Sequence, residues 1–323
     1  MTHSVTTWEQ PEVAIEWARL GHAYVVANDK GGVGKTTTSA HLGGLAASDG
    51  VRTLLVDLNG QGNCAQLLGF AHTENDDKGR NLFSAVTAGA PLSPARGVRP
   101  NLDVIPGGPY VRRIGSVLSA ELATSADANR VHLALAECLQ TIASDYQLII
   151  IDTPPENPLL SNIALCAGRF VIVPLKTDAF SRQGLRDIAS DIRGMREHNP
   201  HLTLLAVFVF ASGTGSKKIR RDIAKNVSED LGQSSGLLLD AFIRHAESVA
   251  NEMVKYGLLA YELEQEIQNN PKYWELRKGS AKNATTVSET SRLVAEDYDR
   301  LAKEIFTRAG ERRAEMIEEG SWP

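Results

Sequence analysis

The segment that most constrains this chain is Asn28-Asp29-Lys30-Gly31-Gly32-Val33-Gly34-Lys35-Thr36-Thr37-Thr38, which follows an apolar run and opens a helical pattern. A strand that feeds a glycine-rich turn into a helix is the setting of a phosphate loop. Glycines at 31, 32 and 34 let the backbone turn its N–H groups toward an anion. The helix that follows directs its positive end to the same point. In such a loop Gly31, Gly32, Val33 and Gly34 form the cradle and Lys35 reaches the β- and γ-phosphates. Thr36 ligates Mg²⁺, and Thr37 completes the nucleotide-binding run. A glycine-rich turn with a chance lysine would not account for strand, glycines, Gly34-Lys35-Thr36 and helix together. The residues point to a nucleotide site.

A second apolar run ends in an acid: Leu148-Ile149-Ile150-Ile151-Asp152-Thr153-Pro154-Pro155-Glu156. A carboxylate at the end of a buried strand is costly without a partner. This one has the shape of a Walker B acid, holding Mg²⁺ through a water because Mg²⁺ dehydrates reluctantly. Short β-rich runs at residues 23–27, 53–56, 102–105, 148–151, 170–173, 204–210 and 237–239 alternate with helical patterns at 35–48, 128–144, 181–197, 217–231 and 246–256. Several runs lack polar alternation, as strands covered on both faces do. The order predicts an α/β fold, a doubly wound, mostly parallel sheet with helices on both faces. Its ligand belongs at the carboxyl ends of the strands.

The 323 residues read as a single domain of this kind, with a helical extension at 1–21, a core at 22–261, an insertion at 262–286, a helix at 287–310 and a polar, acidic tail at 311–323. Within it, residues 8–20 predict one short helix and 288–308 the final one. Residues 72–100, rich in Gly, Pro, Asn and Asp, predict a long surface excursion. Hydrophobic residues at 42% and charged residues at 23% allow a large core and exclude wholesale disorder. A net charge of −5 excludes a bulk polycation, so any nucleic-acid contact needs a local basic patch. Cys64, Cys138 and Cys166, far apart and odd in number, make neither a disulfide framework nor a zinc site, and suit a reducing cytoplasm. The first twenty residues carry Glu9, Glu12 and Glu16 and no apolar signal region. The most apolar stretch, 202–210, is far short of the ~20 residues of a membrane span. These features predict a cytoplasmic protein with no membrane partner.

The strict pattern G-x-x-x-x-G-K-[ST] fails at its first glycine, which would fall on Asp29, and a second lysine leads the loop instead. Lys30-Gly31-Gly32-Val33-Gly34-Lys35-Thr36 resembles the deviant Walker A box of the ParA/MinD superfamily of P-loop ATPases. The resemblance implies ATP and Mg²⁺ as cofactors. It also implies that Lys30 reaches across a two-fold axis to the nucleotide of a second subunit, making ATP the glue of a homodimer. The likeness extends to Leu54-Leu55-Val56-Asp57-Leu58-Asn59-Gly60-Gln61-Gly62-Asn63, where the ParA subgroup shows D-x-D-P-Q-G-N. Asp57, Gln61, Gly62 and Asn63 match, whereas Asn59 replaces the second acid and Gly60 the proline. That acid orients the hydrolytic water in the family, so the implied catalytic set is Lys30, Lys35, Asp57, Asn59 and Asp152, with slow turnover. An amide holds a water by hydrogen bonds but takes no proton. Loose phosphoryl transfer needs little base chemistry, however, and Ras positions its water with a glutamine; Gln61 or Asp57 can share the role here.

Asp152-Thr153-Pro154-Pro155 keeps the family's D-x-P-P, with Thr36 and Asp152 as the implied metal ligands. Weaker matches lie at 101–108, ending Ile105-Pro106-Gly107, at 173–178 with Gly184-Leu185, and at 242–257. In the last of these the family packs its adenine, and Ile243, Arg244 and His245 are the candidates. The resemblance covers about residues 22–261 and the last helix, with nothing to match 262–286.

Within the superfamily, a nitrogenase-iron-protein-like reductase needs two cluster cysteines in glycine-rich loops. Cys138 in a helical pattern and Cys166 in an apolar setting do not fit. A MinD-like membrane ATPase ends in a basic amphipathic helix, but residues 311–319 are acidic. Too few residues precede the first strand for the helix-turn-helix domain of the large plasmid ATPases. A short ParA-type partition ATPase remains. The implied activity is a weak Mg-dependent ATPase on nucleoid DNA, moving a plasmid, phage or chromosomal locus with a ParB-like adaptor.

Such proteins bind DNA without sequence preference. Lys217-Lys218-Ile219-Arg220-Arg221 is the best local patch, extended by Arg182, Arg186 and Arg193. Contacts of this kind to phosphates weaken steeply with salt. A solvated helix face is the competing reading of the same charges. A second class of function keeps the nucleotide and discards turnover: a nucleotide-gated dimeric scaffold that positions another cargo, favoured by Asn59.

Overall fold

Residues 14–124, 128–155, 157–176, 181–212, 229, 236–267 and 287–323 are described by the structure, a computed structural model. Eight strands form one sheet in the order β3-β4-β2-β5-β1-β6-β7-β8. They are β1 (Ala23–Val26), β2 (Thr53–Asp57), β3 (Ala95–Arg99), β4 (Leu102–Ile105), β5 (Leu148–Asp152), β6 (Phe170–Leu175), β7 (Thr203–Ser212) and β8 (Leu238–Arg244). All neighbours are parallel except β3, which runs antiparallel to β4 at one edge. The doubly wound parallel sheet expected from the sequence is therefore the fold, with β3 added.

Side chains alternate across the sheet as strand geometry requires. Val25, Ile149 and Ile151 enter one core, whereas Val26, Leu148 and Ile150 enter the other. The first core is covered by α3 (Arg80–Ala88), α4 (Pro109–Thr124), α5 (Ala128–Gln140), α6 (Pro158–Ala167) and α7 (Ser181–Met195). The second is covered by α1 (Lys35–Ser48), α2 (Asn63–Leu67), α8 (Glu247–Tyr256), α9 (Ala260–Glu266) and α10 (Thr290–Glu318). Strand β1 lies between β5 and β6, so the loop after it opens at the centre of the carboxyl edge.

Four sequence expectations are corrected. The stretch 72–100 is no bare excursion: α3 buries Leu82, Ala85 and Val86, and β3 follows it. Glycines 79 and 89 bracket that helix, whose nine residues are too few to stand out in a Gly-rich stretch, and β3 is half-exposed and carries Gly97. Helices α4 and α6 were not among the expected patterns. Pro158 at the start of α6 reads as a breaker, yet it stands in the first turn, where proline is tolerated, and Asn157 caps the helix by accepting from Leu160 N–H. The final helix runs to Glu318 rather than ending near 308. What reads as a polar tail buries Met316 and lays Trp322 against the Arg169 guanidinium, 4.7 Å from the ring centre. Near the amino terminus the described part of the expected 8–20 helix is a short 3-10 turn, Trp17–Leu20. The expected helix at 217–231 lies outside the described residues, apart from position 229.

Helix α10 is fastened to the rest of the second layer by polar contacts. Asp297 takes Arg244 in two side-chain bonds of 2.6 and 2.8 Å, and Glu304 accepts the Asp240 and Ala241 N–H groups of β8. Tyr298 stacks on His41 of α1 at 3.6 Å between ring centres. His41 is fully buried; Nδ1–H donates to the Thr37 carbonyl at 2.7 Å, and Nε2 accepts the Ala260 N–H at 3.0 Å. Burial pushes its pKa down to about 4. A depressed histidine pKa means that the unfolded chain takes up the proton first. The stability it confers is complete above pH 6.5 and is lost as pH falls toward 4. Denaturant titrations of wild type and His41→Gln should show this: between pH 7 and 4.5 wild type loses ~2–3 kcal/mol relative to the variant. Parallel pH profiles would mean that His41 is not held neutral.

Candidate functional site

The loop between β1 and α1 carries the cradle residues. Gly34, the N-cap of α1, has φ +82°, and a Cβ there would lie 2.2 Å from the Phe210 ring of β7, so glycine is required both by conformation and by space. Asn28 pins the loop to the sheet: its Nδ2 donates to the Pro174 carbonyl and its Oδ1 accepts the Lys30 N–H. Lys35 is 5% exposed, and its Nζ donates to the Lys30 carbonyl at 2.8 Å. Burial pushes its pKa down to about 8 against the pull of Asp152 and Asp29. An ammonium this desolvated, lining the cleft with the loop glycines, is suited to a phosphate.

The two strand-end acids meet on the last rung of the β2–β5 pair, where Asp57 stands opposite Asp152. Asp152 accepts from the Thr36 hydroxyl at 2.6 Å and the Ser39 hydroxyl at 3.2 Å. Asp57 accepts the Asn59 and Cys64 N–H groups at 2.8 and 3.3 Å. Burial, with each acid beside another negative charge, raises both carboxyls well above the usual carboxylate range. Asp57, Cys64 and Asp152 each offer a ligand atom within 4.8 Å of the others. The oxygens of Asp57, Asp152 and Thr36 fit a hard Mg²⁺. The Cys64 thiol is pushed far up by burial and by Asp57, and is a poor partner for such an ion.

Gly31, Gly32, Val33, Gly34, Lys35, Thr36 and Thr37 line one cleft of about 440 Å³ together with Asn59, Gln61, Asn63, Gln66, Leu67, Pro155 and Val254. The structure thus brings the phosphate loop, the Asn59 loop and the segment after Asp152 to one place. Gly107 of the Ile105-Pro106-Gly107 match seats against Asp57, where a Cβ would lie 2.5 Å from its carboxyl carbon. Lys30 turns inward within its own chain, its Cε only 3.4 Å from the position a Cβ would take at Gly184 of α7.

The adenine candidates are not brought to the cleft. Ile243 is buried in the second core, Arg244 is taken by Asp297, and His245 is exposed. Lys217, Lys218, Arg220 and Arg221 lie outside the described residues, as does the side chain of Arg182; Arg186 and Arg193 are exposed on α7. Sequence alone assigns no role to Ser39, Lys176, Gln66, Leu67 or Val254. Ser39 stands one turn after Thr36 on the same face of α1, a spacing that could have revealed it. Lys176 brings its Nζ to 3.7 Å from a Cβ position at Gly32. Val254 comes from α8, far along the chain, and no local pattern marks it.

An AAA domain family matches residues 21–204, more than half of the chain. The chromosome partitioning protein ParA of Caulobacter vibrioides is 33% identical over 212 residues, spanning 64% of this chain and 75% of that protein. Among solved structures, the ATP complex of a variant of Cyanothece McdA aligns with TM-score 0.60 at 20% identity, over 83% of this chain and 98% of the other. Cobyrinic acid a,c-diamide synthase from Mycobacterium smegmatis, with bound ADP and magnesium, aligns with TM-score 0.59 at 24% identity, over 77% and 95%. The two structural likenesses are likenesses of fold.

The paired acids set a testable cost. Their raised pKa values mean that the folded, metal-free chain holds protons the unfolded chain has released, so the stability tied to them is lost as pH rises. In chelator at pH 8, Asp152→Asn should therefore be more stable than wild type by ~1–3 kcal/mol, because a buried charge is removed. The advantage should shrink at pH 5. A variant less stable at pH 8 would show that the pair carries no such penalty.

Proposed function

This chain belongs to the ParA family of partition ATPases, and we propose that it binds Mg-ATP in the cleft over its phosphate loop and dimerises face to face around the nucleotide. In that state it binds DNA without sequence preference, and a ParB-like adaptor stimulates slow hydrolysis and release. The cellular setting is the nucleoid, and the whole chain acts as one ATPase domain. The observation that carries the reading is that Lys35 and Thr36 line a single cleft while the Thr36 hydroxyl donates at 2.6 Å to the buried Asp152.

Lys35 and the loop amides neutralise the β- and γ-phosphates, while Thr36 and Asp152, with Asp57 behind, hold Mg²⁺, whose charge offsets that of the phosphates. Lys30 acts on the second subunit's nucleotide. To do so it leaves its place beside Gly184, so the inward pose belongs to the monomer. DNA phosphates are met by Lys217, Lys218, Arg220 and Arg221, with the α7 arginines as further contacts.

Asn59 sets the rate. Its Oδ1 accepts the Gln61 N–H at 3.0 Å, which leaves the amide one lone pair and its N–H donors, but no negative charge, to offer a water. This favours a second reading, a nucleotide-gated dimer that positions cargo with little turnover. An aspartate at 59 keeps the bond to Gln61 and has a further oxygen to orient the nucleophile, so Asn59→Asp should raise the hydrolysis rate with DNA and adaptor about tenfold or more. An unchanged rate would place water handling elsewhere. In gel filtration with a non-hydrolysable ATP analogue, wild type should run as a dimer. Lys30→Ala should bind the nucleotide yet stay a monomer; normal dimerisation of that variant would refute the trans role of Lys30.

A further inference from the structure

Arg99, the last residue of β3, does not line the cleft but touches the elements that build it. A guanidinium has five N–H groups, and all five directions are used here. Nη1 donates to the Leu68 and Val98 carbonyls at 2.9 and 3.0 Å. Nη2 donates to the Gly257 carbonyl at 2.9 Å and to Glu262 Oε2 at 3.2 Å, and Nε donates to Glu262 Oε1 at 2.5 Å. Leu68 caps the carboxyl end of α2 and Gly257 that of α8. Both ends carry partial negative charge, which a cation between them offsets. They meet backbone to backbone: Gly69 and Gly257 both have positive φ, and a Cβ on Gly257 would lie 2.3 Å from the Gly69 Cα.

Helix α2 gives the cleft Asn63, Gln66 and Leu67, and α8 gives it Val254. Glu262 carries the clamp further, because its Oε2 also accepts the Leu259 N–H at 2.7 Å and so begins α9. The next N–H, Ala260, goes to His41, whose other nitrogen bonds the Thr37 carbonyl in the first turn of α1. We propose that Arg99 is a positioning residue for nucleotide binding: one guanidinium fixes α2 and α8, and through α9 the start of α1, so that three sides of the cleft stand at set spacing before the nucleotide arrives. The proposal rests on the reading of the cleft as an ATP site. Its physical basis is preorganisation, since walls ordered in advance need not be ordered at the cost of binding energy.

The test compares Mg-ATP affinity by calorimetry for wild type, Arg99→Gln, Arg99→Lys and Leu20→Ala, well below every melting temperature. Leu20 is a buried core residue just before β1, at the end of that strand away from the phosphate loop, and serves as the control for lost stability alone. Arg99→Gln should weaken binding about tenfold, with any loss above about threefold counting in favour. Arg99→Lys keeps the charge opposite Glu262 but cannot span both carbonyls, and should fall between. Leu20→Ala should melt earlier and bind as wild type does. A loss under about threefold in Arg99→Gln, or an equal loss in Leu20→Ala, overturns the clamp. If Arg99→Gln does not fold, Arg99→Lys decides, and wild-type affinity in it counts against. A wild type that takes up no ATP refutes the cleft reading and the clamp together, whereas wild-type binding matched by Arg99→Gln refutes the clamp alone.

Discussion

Two carboxylates facing each other on one rung of a buried sheet are the constraint around which this molecule is arranged. Asp57 and Asp152 are both fully buried, and such a pair is tolerated only where donors or a cation meet it. The donors are supplied by neighbouring segments. Asn59 and Cys64 give backbone N–H groups to Asp57, and Thr36 and Ser39 give hydroxyls to Asp152. The acids thereby hold the phosphate loop, the first turns of α1 and the Asn59 loop in register with one another. A divalent cation would complete what these donors begin, so the predicted cost of the pair and the fitness of the site for metal have one origin.

Much of this was legible in the sequence for a simple reason. Parallel strands covered on both faces are written as unbroken apolar runs, and β2, β5 and β6 are buried along their whole length. A phosphate loop needs its glycines and lysine consecutive, so it cannot hide, and α1 begins and ends where the pattern from Lys35 to Ser48 places it. Some of the elements that escaped are short, exposed or interrupted. Strand β3 is a half-exposed edge with a glycine at its centre, and α6 begins with a proline. Pairing between distant residues escaped altogether. Arg244 looks like a cation available beside a nucleotide until Asp297, on a helix much later in the chain, is seen to take it. Arg99 shows nothing locally; its meaning lies in carbonyls and a carboxylate from three other elements.

The second layer is more than a cover for the sheet. Tyr298 of α10 and the start of α9 converge on His41, a neutral imidazole that passes one hydrogen bond to the phosphate-loop helix. The last helix therefore bears on the site without approaching the cleft. At the opposite end of the strands, Trp322 covers Arg169, whose 3% exposure marks a cation folded beneath an aromatic ring. The stretch that composition alone marks as polar tail is in this way part of the framework.

Glu304 has an effect on how copies of this molecule can meet. An open sheet ends in strands whose unpaired amides invite a stranger's backbone. At β8 that invitation is withdrawn, because one carboxylate of α10 occupies two successive amides. Those two amides are closed to a stranger's backbone, which removes one point of strand addition from that margin.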